Sequence, residues 1–197
     1  VSRLVLASKS AARAAVLRGA GLDVALASAG VDEAPIKRGL LGRGAQPREI
    51  AHVLAEEKAK AGSLHREGLV IGADQTLDLE GRLFDKPADL EETRAHLLAL
   101  RGRTHHLHSG LAVAEAGQLV FTTVETATLT VRAFSDAWLA AYLERNGEAL
   151  LGSVGGYQLE GEGVQLFERI EGDYFVILGL PLLALLGFLR QQGEIPA

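Results

Sequence analysis

The chain has 197 residues, 48% hydrophobic and 23% charged, with 20 Lys and Arg against 25 Asp and Glu for a formal net charge of -5. That length suits one domain, 1–197, with a sizeable core. The acidic balance excludes a protein that grips nucleic acid by bulk electrostatics, while leaving room for a local basic pocket for one small anion. With no cysteine, disulfides and thiolate-bound zinc or iron–sulfur centres are excluded too.

The first apolar run, "LVLA" from Leu4 to Ala7, is too short for the core of a signal peptide, and no small-residue cleavage site follows it. It reads as a buried strand running into the turn "SKS". A helix is expected from Ser10 to Ala20, with serine as N-cap and Gly21 just past the end. A second helix fits Gln46 to Ala61, with Ile50, Val53, Leu54 and Ala61 on one apolar face. "LVIGA", Leu69 to Ala73, is a short, continuously apolar strand of the buried kind. Asp89 and Glu92 make a capping-box-like start for a helix that runs to Leu100 and is closed by Gly102. The connection between Val113 and Val120 is of hairpin length. "ETATLTVR" alternates Ala127, Leu129 and Val131 with threonines, as a half-exposed strand does. Ser135 opens a helix with Trp138, Leu139, Tyr142 and Leu143 inward and Asn146-Gly147 as the stop. "VQLFERI", Val164 to Ile170, reads as a further strand. The most apolar stretch, Phe175 to Leu189, is shorter than the roughly 20 residues of a membrane span and is broken by Gly179 and Pro181. A buried strand and a helix with Pro181 in its first turn are expected there, no membrane partner is expected, and the cytoplasm is the expected location. Helix and strand patterns alternate throughout, which indicates an α/β fold with a mixed sheet.

Ligands of open α/β sheets gather beyond the carboxyl ends of buried strands, so the polar residues after Ala7 and Ala73 matter most. In "ASKSAAR" the helix start offers unpaired N–H groups, Ser8 and Ser10 offer hydroxyls, and Arg13 offers a forked guanidinium suited to phosphate oxygens. The same residues also suit a plain serine cap with Lys9 and Arg13 in solvent. It is not a Walker loop, because the glycines are missing and the lysine is misplaced.

In "VIGADQTL", Asp74 and Gln75 follow the apolar run, with Gly72 relaxing the backbone beside them. Asp74 suits a general base, a metal ligand or a structural cap. An aspartyl-phosphate mechanism wants a second carboxylate two residues on, where this chain has Thr76. Asp32 and Glu33 in "VDEAP" read as a solvated loop pair or, with Asp74, as oxygen ligands for a hard divalent cation. Lys58 and Lys86 are point-charge partners for phosphate or ordinary surface lysines. His106 and His108 share a strand face in "RGRTHHLHSG", beside His105, but spacing shows no third ligand, so structural hydrogen bonding is the preferred reading.

The ordered set "LVLASKSAAR", "VDE", "AEEKAKA", "VIGADQ", "KP", "LRGRTHHLHSG" and "FERIEGDYFVILGLPL" resembles the Maf-like nucleoside triphosphate pyrophosphatases nearly end to end. The resemblance implies a mixed, twisted sheet with flanking helices and two lobes around a deep cleft, as in inosine triphosphate pyrophosphatases. It also implies a divalent metal, magnesium or manganese, and hydrolysis of a nucleoside triphosphate between its α and β phosphates. By resemblance Asp74 matches the carboxylate that activates water, and Ser8, Ser10, Arg13, Glu33, Lys58 and Lys86 match the cleft residues that hold metal and phosphates. By the same resemblance Glu33 and Asp74 are the expected metal ligands. The family's Pro-Arg pair before Arg13 is Ala11-Ala12 here. Ala12, Gln75 and Glu160 form a specificity set whose last two members resemble the 7-methyl-GTP branch, with dTTP and UTP as alternative substrates. A homodimer and a role as a nucleotide-binding regulator of cell division are further implications of the resemblance.

Overall fold

Residues 4–196 are described by the computed structural model. Its centre is a seven-stranded mixed sheet: β1 (Leu4–Ala7), β2 (Val24–Ala27), β3 (Val70–Leu79), β4 (Arg82–Phe84), β5 (Thr104–Glu115), β6 (Gln118–Val131) and β7 (Phe167–Glu171). The order is β2-β1-β3-β5-β6-β7, with β4 added against β3. β1 pairs in parallel with β2 and β3, and the remaining pairings are antiparallel. Helices α1 (Ala11–Gly19), α2 (Glu33–Gly42), α3 (Pro47–Ser63), α4 (Leu90–Leu100), α5 (Asp136–Asn146), the short α6 (Tyr174–Ile177) and α7 (Leu182–Gln191) flank the sheet. None of the described helices is long and apolar enough to cross a membrane.

The expected caps are in place. Ser10, Asp89 and Ser135 accept from the backbone N–H of Arg13, Glu92 and Trp138, and the β5–β6 hairpin turns at Ala116 and Gly117. Pro181 stands at the N-cap, immediately before α7.

Four expectations change, the first being that the buried strand expected before Pro181 is instead the short helix α6. The strand beginning at Leu69 does not stop at Ala73 but continues to Leu79, because β5 pairs with it over its whole length. "VDEAP" is not a loop: Asp32 accepts from Ala34 N–H and caps α2, with Pro35 in the first turn, where a missing N–H costs nothing. Only the second half of Val164–Ile170 is a strand. Glu162–Leu166 is a 3-10 turn wound so tightly that a Cβ on Gly163 would lie 2.5 Å from the Gln158 carbonyl oxygen.

The two sheet faces are built differently. On one lies α3, whose buried surface is less the expected Ile50–Leu54 stripe than a run of small residues, Ala51, Ala55, Ala59 and Gly62. A Cβ on Gly72 of β3 would sit 2.2 Å from the Ala55 oxygen, and one on Gly110 of β5 would sit 2.3 Å from the Ala51 oxygen. These glycines let helix backbone touch sheet backbone, and Gly72 serves that approach rather than local flexibility.

The other face carries two separate cores. Ile71, Leu111 and Val113 pack with Leu17 of α1 and Leu185 and Leu189 of α7. Leu77, Leu79 and Leu107 pack with Leu97 of α4 and Leu139 and Tyr142 of α5. Buried His105 belongs to the second region, sharing a 2.7 Å hydrogen bond between its Nε2 and the Tyr157 hydroxyl.

Gly72→Ala and Gly110→Ala are expected to lose roughly 2 kcal/mol or more in denaturant melts, since the clash is with backbone. Gly39→Ala, in open space on α2, is expected to gain about 1 kcal/mol.

Burial, and secondarily His106, pushes the His105 imidazole down to about 4. The folded state therefore binds the proton less readily than the unfolded chain. Stability is expected to be full above pH 6.5 and to fall towards pH 4, by roughly 3 kcal/mol at most. Chemical melts of His105→Gln across that range should show a flatter profile.

Candidate active site

The site is a gap in the sheet. One edge of β3 pairs with β1 at Val70 and Ile71 and with β4 from Leu77 to Leu79. Between them no strand among the described residues covers 72–76, and a cleft of about 490 Å³ opens there. Ser8, Ser10, Ala12, Arg13, Glu33, Lys58, Asp74, Gln75, Lys86 and Glu160 all line it. The ten residues marked by sequence thus converge, although Asp74 and Gln75 stand in mid-strand rather than at a strand end. The strands that do end here are β1, at Ala7, and β2, at Ala27.

Asp74 faces α3. Lys58, buried on that helix, donates from Nζ to Asp74 Oδ1 at 2.7 Å and lies 3.0 Å from Glu33 Oε1 at the start of α2. Asp74 Oδ2 has no protein partner among the described residues. Burial raises the Asp74 pKa above the ordinary carboxylate range, against the opposing pull of Lys58 and Arg13. Lys86, exposed just after β4, is held below the usual lysine value by desolvation and then by Arg13, with Asp74 and Glu33 acting in the other direction. The five groups form one electrostatic cluster.

Arg13 does not offer its fork to the cleft. Its Nε donates to Gly179 O at 2.8 Å, and Nη1 donates to Ala73 O at 3.0 Å and Ser8 Oγ at 3.2 Å. Only Nη2 lacks a protein partner among the described residues. The residue is therefore a clamp joining the β1–α1 turn, the open edge of β3 and the α6–α7 turn, with one amino group to spare.

Other expectations resolve locally. Asp32 is spent on the α2 cap. His106 and His108 do share a face, with rings stacked 6.0 Å apart, but they are held by Thr128 and Thr126. Among the described residues no group of three or more acidic, His or Cys side chains is placed to hold a metal ion.

Sequence reasoning missed Ser28 and Gly30, which line the cleft after β2, a four-residue strand whose pattern is too short to read. It also missed Ser109, Tyr157 and Gly179. Of these Tyr157 and Gly179 line the cleft, whereas Ser109 is fully buried behind it and carries no mark of its own in a strand that already holds His105, His106 and His108.

Residues 3–192 match the family described as Maf-like protein. The chain belongs to that family. It is 59% identical over 192 residues to the nucleoside triphosphate pyrophosphatase of Caulobacter vibrioides, covering 98% of this chain and 96% of that one. It is 48% identical over 195 residues to the 7-methyl-GTP pyrophosphatase of Rhizobium meliloti, covering 98% of each. Among solved structures, a HAM1 protein from Coxiella burnetii is a distant likeness, at 17% identity and a TM-score of 0.44 over 68% of this chain and 75% of that one.

Arg13→Met leaves the Gly179 and Ala73 carbonyls without their donor, at a cost of about 1–3 kcal/mol. A fall in melting temperature of roughly 3–10 °C is expected, together with lost activity. Lys86→Met, at an exposed position, is expected to lose activity while melting within about 2 °C of the parent.

Proposed function

We propose that the cleft hydrolyses a nucleoside triphosphate between its α and β phosphates, releasing nucleoside monophosphate and pyrophosphate. The observation that carries this reading is Asp74: a buried carboxylate with one oxygen fixed by Lys58 and the other unpartnered, on a cleft that also holds Lys86 and Nη2 of Arg13. The names of the relatives support the same reaction.

In the proposed step a water oxygen attacks the α phosphorus and gives its proton to Asp74 Oδ2. The bond from that phosphorus to the bridging oxygen breaks, and pyrophosphate leaves. The raised pKa of Asp74 suits it to accept the proton. Lys58 keeps the carboxylate aimed and contributes positive charge. Lys86 and Arg13 Nη2 offset charge on the phosphoryl oxygens and the leaving group. Ser8 and Ser10 sit at the start of α1, where its unpaired N–H groups favour an anion.

Glu33 and Asp74 are hard oxygen donors that fit magnesium or manganese, with water and phosphate oxygens completing a shell that two carboxylates leave open. Such a cation supplies Lewis-acid charge to the phosphate oxygens when bound.

7-methyl-GTP is the substrate this reading favours. Gln75 and Glu160 both line the cleft and offer oxygen acceptors, which suit a guanine edge bearing N–H donors. Removal of such a nucleotide from the cellular pool is the corresponding role.

The test is product analysis with magnesium or manganese, offering 7-methyl-GTP, GTP, dTTP, UTP and CTP separately. Monophosphate and pyrophosphate are expected, with 7-methyl-GTP used best. Diphosphate and free phosphate would place the cleavage elsewhere, and a preference for dTTP or UTP would overturn the base assignment. Asp74→Asn is expected to retain nucleotide binding and to lose turnover by at least ~100-fold. Binding without turnover in the parent protein would favour a regulator over an enzyme.

A further inference from the structure

Gln75 and Ser109 are directly paired across β3 and β5, and they form a polar seam between the two cores. The carboxamide nitrogen of Gln75 donates to Val176 O and Ile177 O, each at 3.0 Å, and to Ser109 Oγ at 3.1 Å. Ser109 is fully buried, and its hydroxyl proton is committed to Val176 O at 2.7 Å, so its oxygen too faces Gln75 as an acceptor. All three neighbours accept. A flipped carboxamide would set its oxygen against three oxygens, so the nitrogen must point inward. Its oxygen, Oε1, has no protein partner among the described residues and is not among the buried unpartnered atoms, although Gln75 lines the cleft.

We infer that Ser109 and the carbonyls of Val176 and Ile177 fix the polarity of position 75, so that Gln75 presents only an acceptor to the substrate and selects a nucleotide with an N–H or O–H donor there. Ser109 is a positioning residue acting through Gln75. The identity of the ligand rests on the pyrophosphatase reading above, whereas the orientation of the carboxamide does not.

Two measurements on the intact protein separate these. In an amide spectrum of the free protein, the side-chain NH2 of Gln75, assigned by its loss in Gln75→Met, is expected to exchange with solvent at least ~10-fold more slowly than those of exposed Gln191 and Gln192. Exchange should quicken in Ser109→Ala. Exchange as fast as the exposed glutamines would mean that the nitrogen faces the cleft, and would overturn the inference whatever the enzyme does.

The second measurement compares kcat/KM for GTP with that for 1-methyl-GTP, inosine triphosphate and the 2′- and 3′-deoxy forms. One analogue, lacking the recognised base N–H, amine or sugar hydroxyl, is expected to fall by at least ~10-fold. That ratio should collapse towards one in Gln75→Met and shrink in Ser109→Ala. A purely structural Ser109 would lower all five nucleotides together and leave the ratios unchanged, which would overturn its positioning role. Slow exchange with no turnover of any triphosphate would defeat the pyrophosphatase reading and leave the carboxamide orientation standing.

Discussion

The contact on which the rest of the molecule depends is backbone against backbone, α3 on β3 and β5. Helices usually stand off a sheet by the depth of their side chains. Here Gly72 and Gly110 remove that depth from the sheet, and the alanine stripe removes it from the helix. The consequence is chemical as well as structural. Lys58 lies on the same helix, four residues after Leu54 and one before Ala59, and the close approach brings its ammonium within 2.7 Å of Asp74 while both remain largely out of water. A helix held further away would leave Asp74 either solvated or buried without a partner. The second arrangement is strongly unfavourable for a charged carboxylate.

The same economy of coverage makes the cleft. β3 is longer than either neighbour on one edge, and β1 and β4 cover its two ends and leave the middle bare. A bare strand edge ordinarily invites pairing with another chain. Arg13 caps part of this one by taking the Ala73 carbonyl, and the cleft walls enclose the remainder. The opposite face obeys a matching logic, because its two apolar cores do not merge. Gln75 and Ser109 lie between them and α6 closes over the seam, so Gln75, which lines the cleft, also stands on the boundary between the two packed regions.

Local chemistry was legible in the sequence wherever one residue decides the outcome: Ser10, Asp89 and Ser135 as caps, and the hairpin between Val113 and Val120. The convergence of Asp74, Lys58, Glu33 and Lys86 was legible through family resemblance, but no spacing along the chain required it. What escaped depends on neighbours. Asp74 follows an apolar run and looks like a strand end, yet pairing with β5 carries the strand past it to Leu79. Arg13 has the chemistry of a phosphate fork, and only the positions of Ala73 and Gly179, distant in sequence, turn it into a clamp. Gly72 looked like local relaxation because the helix that needs its missing side chain begins more than twenty positions earlier.

Charge explains why an acidic chain would accept a polyanion at this one place. The net charge of -5 belongs to the whole chain, while the cleft gathers Lys9, Arg13, Lys58 and Lys86 against Glu33, Asp74 and Glu160. Two of these four cations are already engaged: Lys58 between Glu33 and Asp74, and Arg13 on carbonyl oxygens. Among the described residues Lys9, Lys86 and Arg13 Nη2 stand ready for phosphate, a small supply for a triphosphate facing three carboxylates. In the proposed reaction a divalent cation would serve binding as well as chemistry, adding positive charge where Lys58 and Arg13 have spent theirs. In that reading, the pairing that protects the carboxylate in the free protein is also what leaves work for a cation supplied from outside.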